Sequence, residues 1–493
     1  MNLEKSSQNS PRKCTVAVIG AGASGIATAK CLLDDGHEPT VFERSDQVGG
    51  VWVFNNTSGR AFSTVHFQHS KYVSVFSDYP MSLESSEFPH HTEVLEYLND
   101  YVDHFDLRKH IKFNTAVDKV SRKDDHWEVT VSYPGGQSTF NFDAVAICSG
   151  IYNEARWPNF PGEEKFQGTI IHSKDYKEPS IFAGKNVLVV GNGPSGVDIA
   201  VTASYSSNKA IWSYRKNRWL LPRYCERIPF DFIVTRLNKH IPFRHQILSL
   251  VHIQKFYPIM LDHQACGVKP NVGPEKSGPV FNEDALNRIR LGAIKTKPNI
   301  AHFEENKVVF EDGSSELVDI VVYATGYQVK IPFMDEYLGE DHQKNLNLYK
   351  MVFPPELPNC GFIGFVYGNV IFPTSELQAR WFSKVISGEV KLPSKAVMEA
   401  QIQEHRKHQE EGWLDSAYRS LRVSAFDYMD DIAKEIDVLP KIWENWTILK
   451  EIFAGPMMAT QFRLNGHHKW EGATSWIKKV PKLARKQVID TKH

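Results

Sequence analysis

The sequence predicts an α/β fold made of two parallel-sheet units, one inserted in the other. Three observations carry that reading. A G-x-G-x-x-G loop occurs twice, as "GAGASG" from Gly20 to Gly25 and "GNGPSG" from Gly191 to Gly196. Each loop follows a short β-branched run and opens a segment of helical character. Finally, "FDAVAICSG" (Phe142 to Gly150) and "VDIVVYATG" (Val318 to Gly326) repeat one pattern of Asp, apolar strand and terminal Gly, as two returning strands of equivalent units do.

In the first unit "TVAVIG" reads as a buried parallel strand, and the helix after it places Ile26, Ala29, Cys31 and Leu32 as apolar contacts, with Gly36 as its stop. A second strand, "EPTVFE", ends at Glu43, about 20 residues past the loop as a dinucleotide-binding fingerprint requires. The glycines have separate duties: Gly20 permits the tight turn, Gly22 lets backbone approach a pyrophosphate, and Gly25 lets helix and strand pack closely. Glu43 can accept hydrogen bonds from a ribose, so this Rossmann-like unit suits FAD. The second unit repeats the order as "KNVLVVG", "GNGPSGVDIAVTAS" and "KAIWSYRKNR", with Gly191, Gly193, Ser195 and Gly196 as its phosphate loop. Its second strand closes on Ser213 and Arg215, with Lys216 and Arg218 behind, where a carboxylate would repel a 2′-phosphate and a guanidinium and hydroxyl would bind it. That unit suits NADPH. The expected organisation is a polar leader over 1–13, an FAD domain over 14–165, an inserted NADPH domain over 166–325, and the rest of the FAD domain with a helical C-terminal region over 326–493.

Composition removes other functions. Across 493 residues, 57 Lys and Arg balance 58 Asp and Glu, which leaves no field to gather nucleic acid. The 6 cysteines form no C-x-x-C pair, which argues against a thiol relay and for a reduced, cytoplasmic setting. No stretch reads as a signal peptide or an integral membrane anchor. His90 and His91 have no companion at ligand spacing, so no metal is expected. Asp198 is read as a helix-packing residue, and the segment from Tyr224 to Lys276 as a candidate lid.

"FQGTIIHSKDY" adds Phe166, Gly168, His172 and Tyr176 in the pattern F-x-G-x-x-x-H-x-x-x-[YF]. With "DQVGGVW" (Gly49, Gly50, Trp52), "ATGY" (Ala324 to Tyr327) and "ELQARW" (Glu376 to Trp381), it resembles the flavin-containing monooxygenase family over nearly the whole chain. The resemblance implies a monooxygenase in which NADPH reduces FAD, dioxygen adds to form a flavin C4a-hydroperoxide, and one oxygen passes to an amine nitrogen or sulfide of a small molecule. It further implies cofactor contacts from Gly50, Trp52, Thr325 and Gln378, and a position near the nicotinamide for His172, where a catalytic role competes with a packed hinge. In "FQHSK" many members place an Asn that helps hold the oxygenated flavin, and this chain has Gln68 there, as some plant members do. Ketone insertion of the Baeyer–Villiger type, a weakly coupled NADPH oxidase and a non-catalytic redox sensor stay open as alternatives, as does a homodimer. Vertebrate members finish in a hydrophobic anchor, whereas this chain finishes in the basic "WIKKVPKLARKQVIDTKH".

Overall fold

A computed structural model describes residues 12–54, 59–225, 228–237, 262–273, 278–339, 341–368, 370–412 and 418–486. Nearly all of the leader, and much of the candidate lid, lie outside the described residues.

The β-branched runs form two five-stranded sheets, parallel throughout. The first contains β1 (Thr15–Ile19), β2 (Glu38–Phe42), β3 (Ile111–Lys112) and β4 (Ala144–Ile147). The second contains β5 (Thr169–His172), β6 (Asn186–Val190), β7 (Lys209–Ser213), β8 (Ile294–Lys297) and β9 (Ile320–Tyr323). The last strand, β10 (Cys360–Phe362), returns to the first sheet. The spatial orders are β10-β4-β1-β2-β3 and β5-β9-β6-β7-β8. In each, the strand before the glycine loop is flanked by the strand after the following helix and by the returning strand. The sheets differ in where the strand beyond the returning one comes from: β5 precedes its loop, whereas β10 comes from the far part of the chain.

The echo of Asp143 and Asp319 has a structural meaning. Thr15 N–H donates to Asp143 Oδ2 at 2.8 Å, and Asn186 N–H donates to Asp319 Oδ2 at 2.7 Å. Each carboxylate fixes the start of the central strand against the returning strand beside it, setting the register Val16 to Ala144 in one sheet and Val187 to Ile320 in the other.

The helix after the first loop, α1 (Ala23–Asp34), is buried from Gly25 to Leu32, because it lies between the first sheet and the later helix α3 (Ile371–Ile386). The corresponding helix of the second unit is α2 (Pro194–Ser206). The polar side of α1 is met by a buried ionic network. Lys30 Nζ lies 2.7 Å from Asp34 and 2.6 Å from Asp78, and Asp78 lies 2.9 Å from Arg463 Nη2. Arg463 also pairs with Glu376 of α3, and both of those side chains are 1% exposed. Ser77 completes the set by donating its N–H to Glu376 Oε2 at 2.6 Å and accepting from Arg463 Nε at 2.6 Å. Four separated stretches of chain thus depend on one guanidinium. Arg463→Met leaves two buried carboxylates underpaired and is expected to cost about 3–5 kcal/mol in urea unfolding.

Candidate functional site

At both crossings the chain leaves a strand, turns on glycine and starts a helix within contact distance of its own backbone. Gly20 has φ +106°, and a Cβ there would lie 2.8 Å from the Cys148 carbonyl oxygen. Gly191 has φ +115°, and its Cβ would lie 2.4 Å from the Ala324 carbonyl oxygen. A Cβ on Gly25 would fall 1.8 Å from the Gly20 carbonyl oxygen, and one on Gly196 would fall 2.2 Å from that of Gly191. Protein atoms therefore account for the outer glycines. They do not account for the middle ones: among the described residues Gly193 would meet nothing within 4 Å, and Gly22 meets only the Cα of Gly50 at 3.7 Å. Both middle residues have ordinary extended φ, so glycine there keeps room for a group that is not protein.

The helix starts agree. Gly22 and Gly193 are the N-caps of α1 and α2, and neither helix has a capping side chain or an acidic residue in its first turn. Each presents amide donors and the positive end of its dipole to an anion. Gly50, in the short turn Gly50–Trp52, seats against Gly22. Trp52 continues that wall, its ring 4.8 Å from Phe67, which is 5.5 Å from Phe372.

The two strand ends differ in what their side chains do. Glu43 is buried, and its carboxylate accepts from Ala21 N–H at 2.7 Å and from Ser45 N–H at 2.9 Å. It braces the first loop, a role that spacing did not indicate. Arg215 and Lys216 are exposed at the end of the second unit's strand. Asn192 of the second loop donates to the Lys216 carbonyl, tying the loop to that strand end.

Several expected ligands are instead spoken for by the protein. Ser213 is fully buried and gives its only hydroxyl proton to the Pro298 carbonyl at 2.6 Å, so the expectation that it binds a phosphate is corrected. Gln378 is also fully buried: Oε1 accepts from Gly364 N–H at 2.8 Å, and Nε2 donates to Tyr428 Oη at 2.6 Å. Its amide is a tie between α3 and the segment after β10. Thr325 donates to the Arg156 carbonyl at 2.6 Å, where the chain passes between sheets. Ser195 stands in the first turn of α2, beside the open loop. Asp198 accepts from Asn282, whose Oδ1 in turn accepts from Asp284 N–H at 3.1 Å, and burial pushes the Asp198 carboxyl up to about 6. His90 caps the helix His91–His104 by accepting from Thr92 N–H.

His172 is fully buried at the end of β5. Its Nδ1 accepts from Lys174 N–H at 3.1 Å, which leaves Nε2 to carry the proton and donate to the Gly326 carbonyl at 3.1 Å. Both nitrogens hold backbone at the two strands that connect the units, and burial pushes the imidazole down to about 4. This geometry favours the hinge over direct chemistry. Gly168 packs the other end of the same strand pair, since a Cβ there would lie 2.6 Å from the Asp319 carbonyl oxygen.

Gln68 behaves differently. Its Oε1 accepts from the backbone N–H of Phe281 at 3.2 Å, while Nε2 is buried with no hydrogen-bond partner among the described residues. Phe281 belongs to the inserted stretch, so Gln68 spans the two units and leaves two N–H donors for something else.

Comparison with known proteins closes the question of family. The Flavin-binding monooxygenase-like family matches residues 13–491. The chain belongs to that family. It is 36% identical to flavin-containing monooxygenase 5 of Mus musculus, over 97% of this chain and 93% of the relative. It is 37% identical to flavin-containing monooxygenase 3 of Rattus norvegicus, over 94% and 91% of the two chains. Among solved structures, S-allyl-L-cysteine S-oxygenase from Allium sativum aligns with a TM-score of 0.66 at 24% identity, covering 98% of this chain and 95% of that one. Closed cyclohexanone monooxygenase aligns with a TM-score of 0.63 at 21% identity, covering 86% and 97%. As a flavin-binding monooxygenase the chain is an NADPH-dependent oxidoreductase that uses FAD. No helix among its described residues is long and apolar enough to cross a membrane.

Two outcomes follow. Gly196→Ala forces backbone against backbone and is expected to cost about 3 kcal/mol, whereas Gly193→Ala costs under about 1 kcal/mol, a weak N-cap being its only penalty; thermal unfolding of both variants checks this. Because His172 is held neutral while the unfolded chain takes up a proton below about 6.5, its contribution to stability is complete above that pH and is lost as pH falls toward about 4. Denaturant midpoints across that range should fall more steeply for the native protein than for His172→Gln.

Proposed function

We propose that residues 14–165 and 326–493 hold FAD, that residues 166–325 hold NADPH, and that the enzyme oxygenates amine nitrogens or sulfides of small molecules. The observation that carries the cofactor assignment is the contrast between two otherwise matching crossings, one ending in the buried carboxylate of Glu43 and the other in the exposed Arg215. The substrate class comes from the relatives, which include an N-oxide-forming dimethylaniline monooxygenase of Macaca mulatta at 35% identity.

The residues present fit both groups. The open faces of Gly22 and Gly193 and the uncapped starts of α1 and α2 suit two pyrophosphates, and the two spare donors on Gln68 Nε2 suit an acceptor between the units. When bound, NADPH and FAD supply the electron transfer and oxygen activation, one atom of dioxygen reaching the substrate and the other leaving as water. The protein's work is placement. Gly20, Gly22, Gly25 and Gly50 shape the FAD pyrophosphate seat, and Trp52 walls it. Gly191, Gly193, Ser195 and Gly196 shape the NADPH seat, and Arg215 reads the 2′-phosphate with Lys216 nearby. Gln68 Oε1, anchored on Phe281, fixes the direction in which Nε2 offers its protons to the reacting oxygen. Trp52, Phe67 and Phe372 form a connected aromatic cluster, Phe67 being next to Gln68 in the chain, which would limit water there.

Steady-state turnover with a tertiary amine, a sulfide and a cyclic ketone tests the reading. N-oxide or sulfoxide formed in step with NADPH use supports it, and predominant lactone overturns the substrate class. Arg215→Ala should weaken NADPH roughly tenfold to a hundredfold and spare NADH; equal loss on both would remove Arg215 from phosphate recognition. Gln68→Ala should retain FAD while a larger share of NADPH oxidation ends as hydrogen peroxide, measured by peroxide assay against product formed.

A further inference from the structure

One cluster of ligand-bearing side chains lies outside the cofactor seats. Asp35 follows the C-terminal end of α1, and its carboxylate is 4% exposed. Its Oδ1 is 2.8 Å from His468 Nε2, 3.4 Å from His467 Nδ1 and 3.0 Å from Lys384 Nζ. Its Oδ2 accepts from Ser383 Oγ at 2.5 Å. The two imidazoles and the carboxylate each offer one atom, and these atoms all lie within 4.8 Å of one another. More than 400 positions separate Asp35 from the histidine pair, so no sequence spacing could have revealed the set.

The backbone is arranged to produce it. Neighbouring side chains on extended chain point to opposite sides. Here His468 takes a left-handed φ of 55°, and the rings of His467 and His468 come together with centroids 3.8 Å apart. Arg380 holds the turn by donating to the carbonyls of Phe462 at 3.1 Å and His467 at 3.0 Å. A small cavity of about 20 Å³, lined by Asp35, Lys384, His467, His468, Ile436 and Val438 among others, adjoins the cluster. That is room for about one water.

We propose that Asp35 Oδ1, His467 Nδ1 and His468 Nε2 bind one divalent transition-metal ion of the zinc class, with a water in the cavity as fourth ligand. Two imidazoles and a carboxylate suit zinc over magnesium or calcium, which prefer oxygen donors. Lys384 is the competitor for Asp35. It has a second acceptor in Glu389, whose two carboxylate oxygens lie 3.0 and 3.1 Å from Nζ, so it keeps an ion pair when Asp35 turns to the metal. The metal would clip the segment after Arg463 to the far end of α1, away from the glycine loop.

The test is titration of the full-length, FAD-loaded, chelator-stripped enzyme with Zn²⁺ in competition with a chromophoric chelator. One ion per chain is expected. His467→Ala and His468→Ala should each weaken binding at least about tenfold, since loss even of a residue that only supports a ligand costs that much. Lys384→Met should tighten binding by removing the competing ammonium. No stoichiometric uptake by the native enzyme, equal uptake by the His467→Ala/His468→Ala double variant, or weaker binding by Lys384→Met would overturn the proposal.

Discussion

A close approach of the chain to itself, the start of a helix lying against the carbonyl of the turn it has just left, sets the geometry of both parallel-sheet units. It fixes the helix axis relative to the strand, and hence the direction of the amide donors at the helix start. With Gly25 and Gly196 in place, α1 and α2 run at the angle their sheets require, and of the middle glycines Gly193 faces open space among the described residues while Gly22 touches only Gly50. The returning strands complete the constraint, because the turn glycines press on the carbonyls of Cys148 and Ala324. Loop, helix and returning strand are therefore one unit, specified by a few atoms that cannot be present.

The polar residues near these crossings divide by how much of their hydrogen-bonding capacity the protein has used. Ser213, Gln378, Thr325 and His172 donate to protein groups and serve as ties. Arg215 and the amide nitrogen of Gln68 are left with capacity. A buried donor without a partner costs about 1–3 kcal/mol, so among the described residues the Gln68 amide is a place where an added acceptor would be stabilising.

Much of this was legible in the sequence, for reasons that are local. A glycine loop between a β-branched run and an apolar helix leaves few geometric solutions, so β1, α1, β2 and their counterparts β6, α2, β7 could be read directly. The Asp143 and Asp319 echo was visible as a pattern, though the hydrogen bonds that give it meaning join residues more than 120 apart in the chain. Side-chain commitments were not legible. Ser213 sits at the strand end where a phosphate ligand belongs, but whether its hydroxyl faces a ligand or Pro298 depends on a segment 85 residues away. Gln378 lies on a helix that reads as apolar and long, and nothing in its spacing discloses Gly364 and Tyr428. The same limit hid the Arg463 network, which draws Asp78, Glu376 and Lys30 together from stretches with no shared motif.

The bond from Phe281 to Gln68 joins the stretch between β7 and β8 of the second sheet to the stretch between β2 and β3 of the first. Any relative movement of the two units that stretches this bond also frees the amide to rotate. Domain separation and the orientation of the N–H donors are thus a single coordinate, and by thermodynamic reciprocity a ligand that holds either one holds the other. A ligand seated in the second unit would then act at a distance as a latch on the geometry of the Gln68 amide.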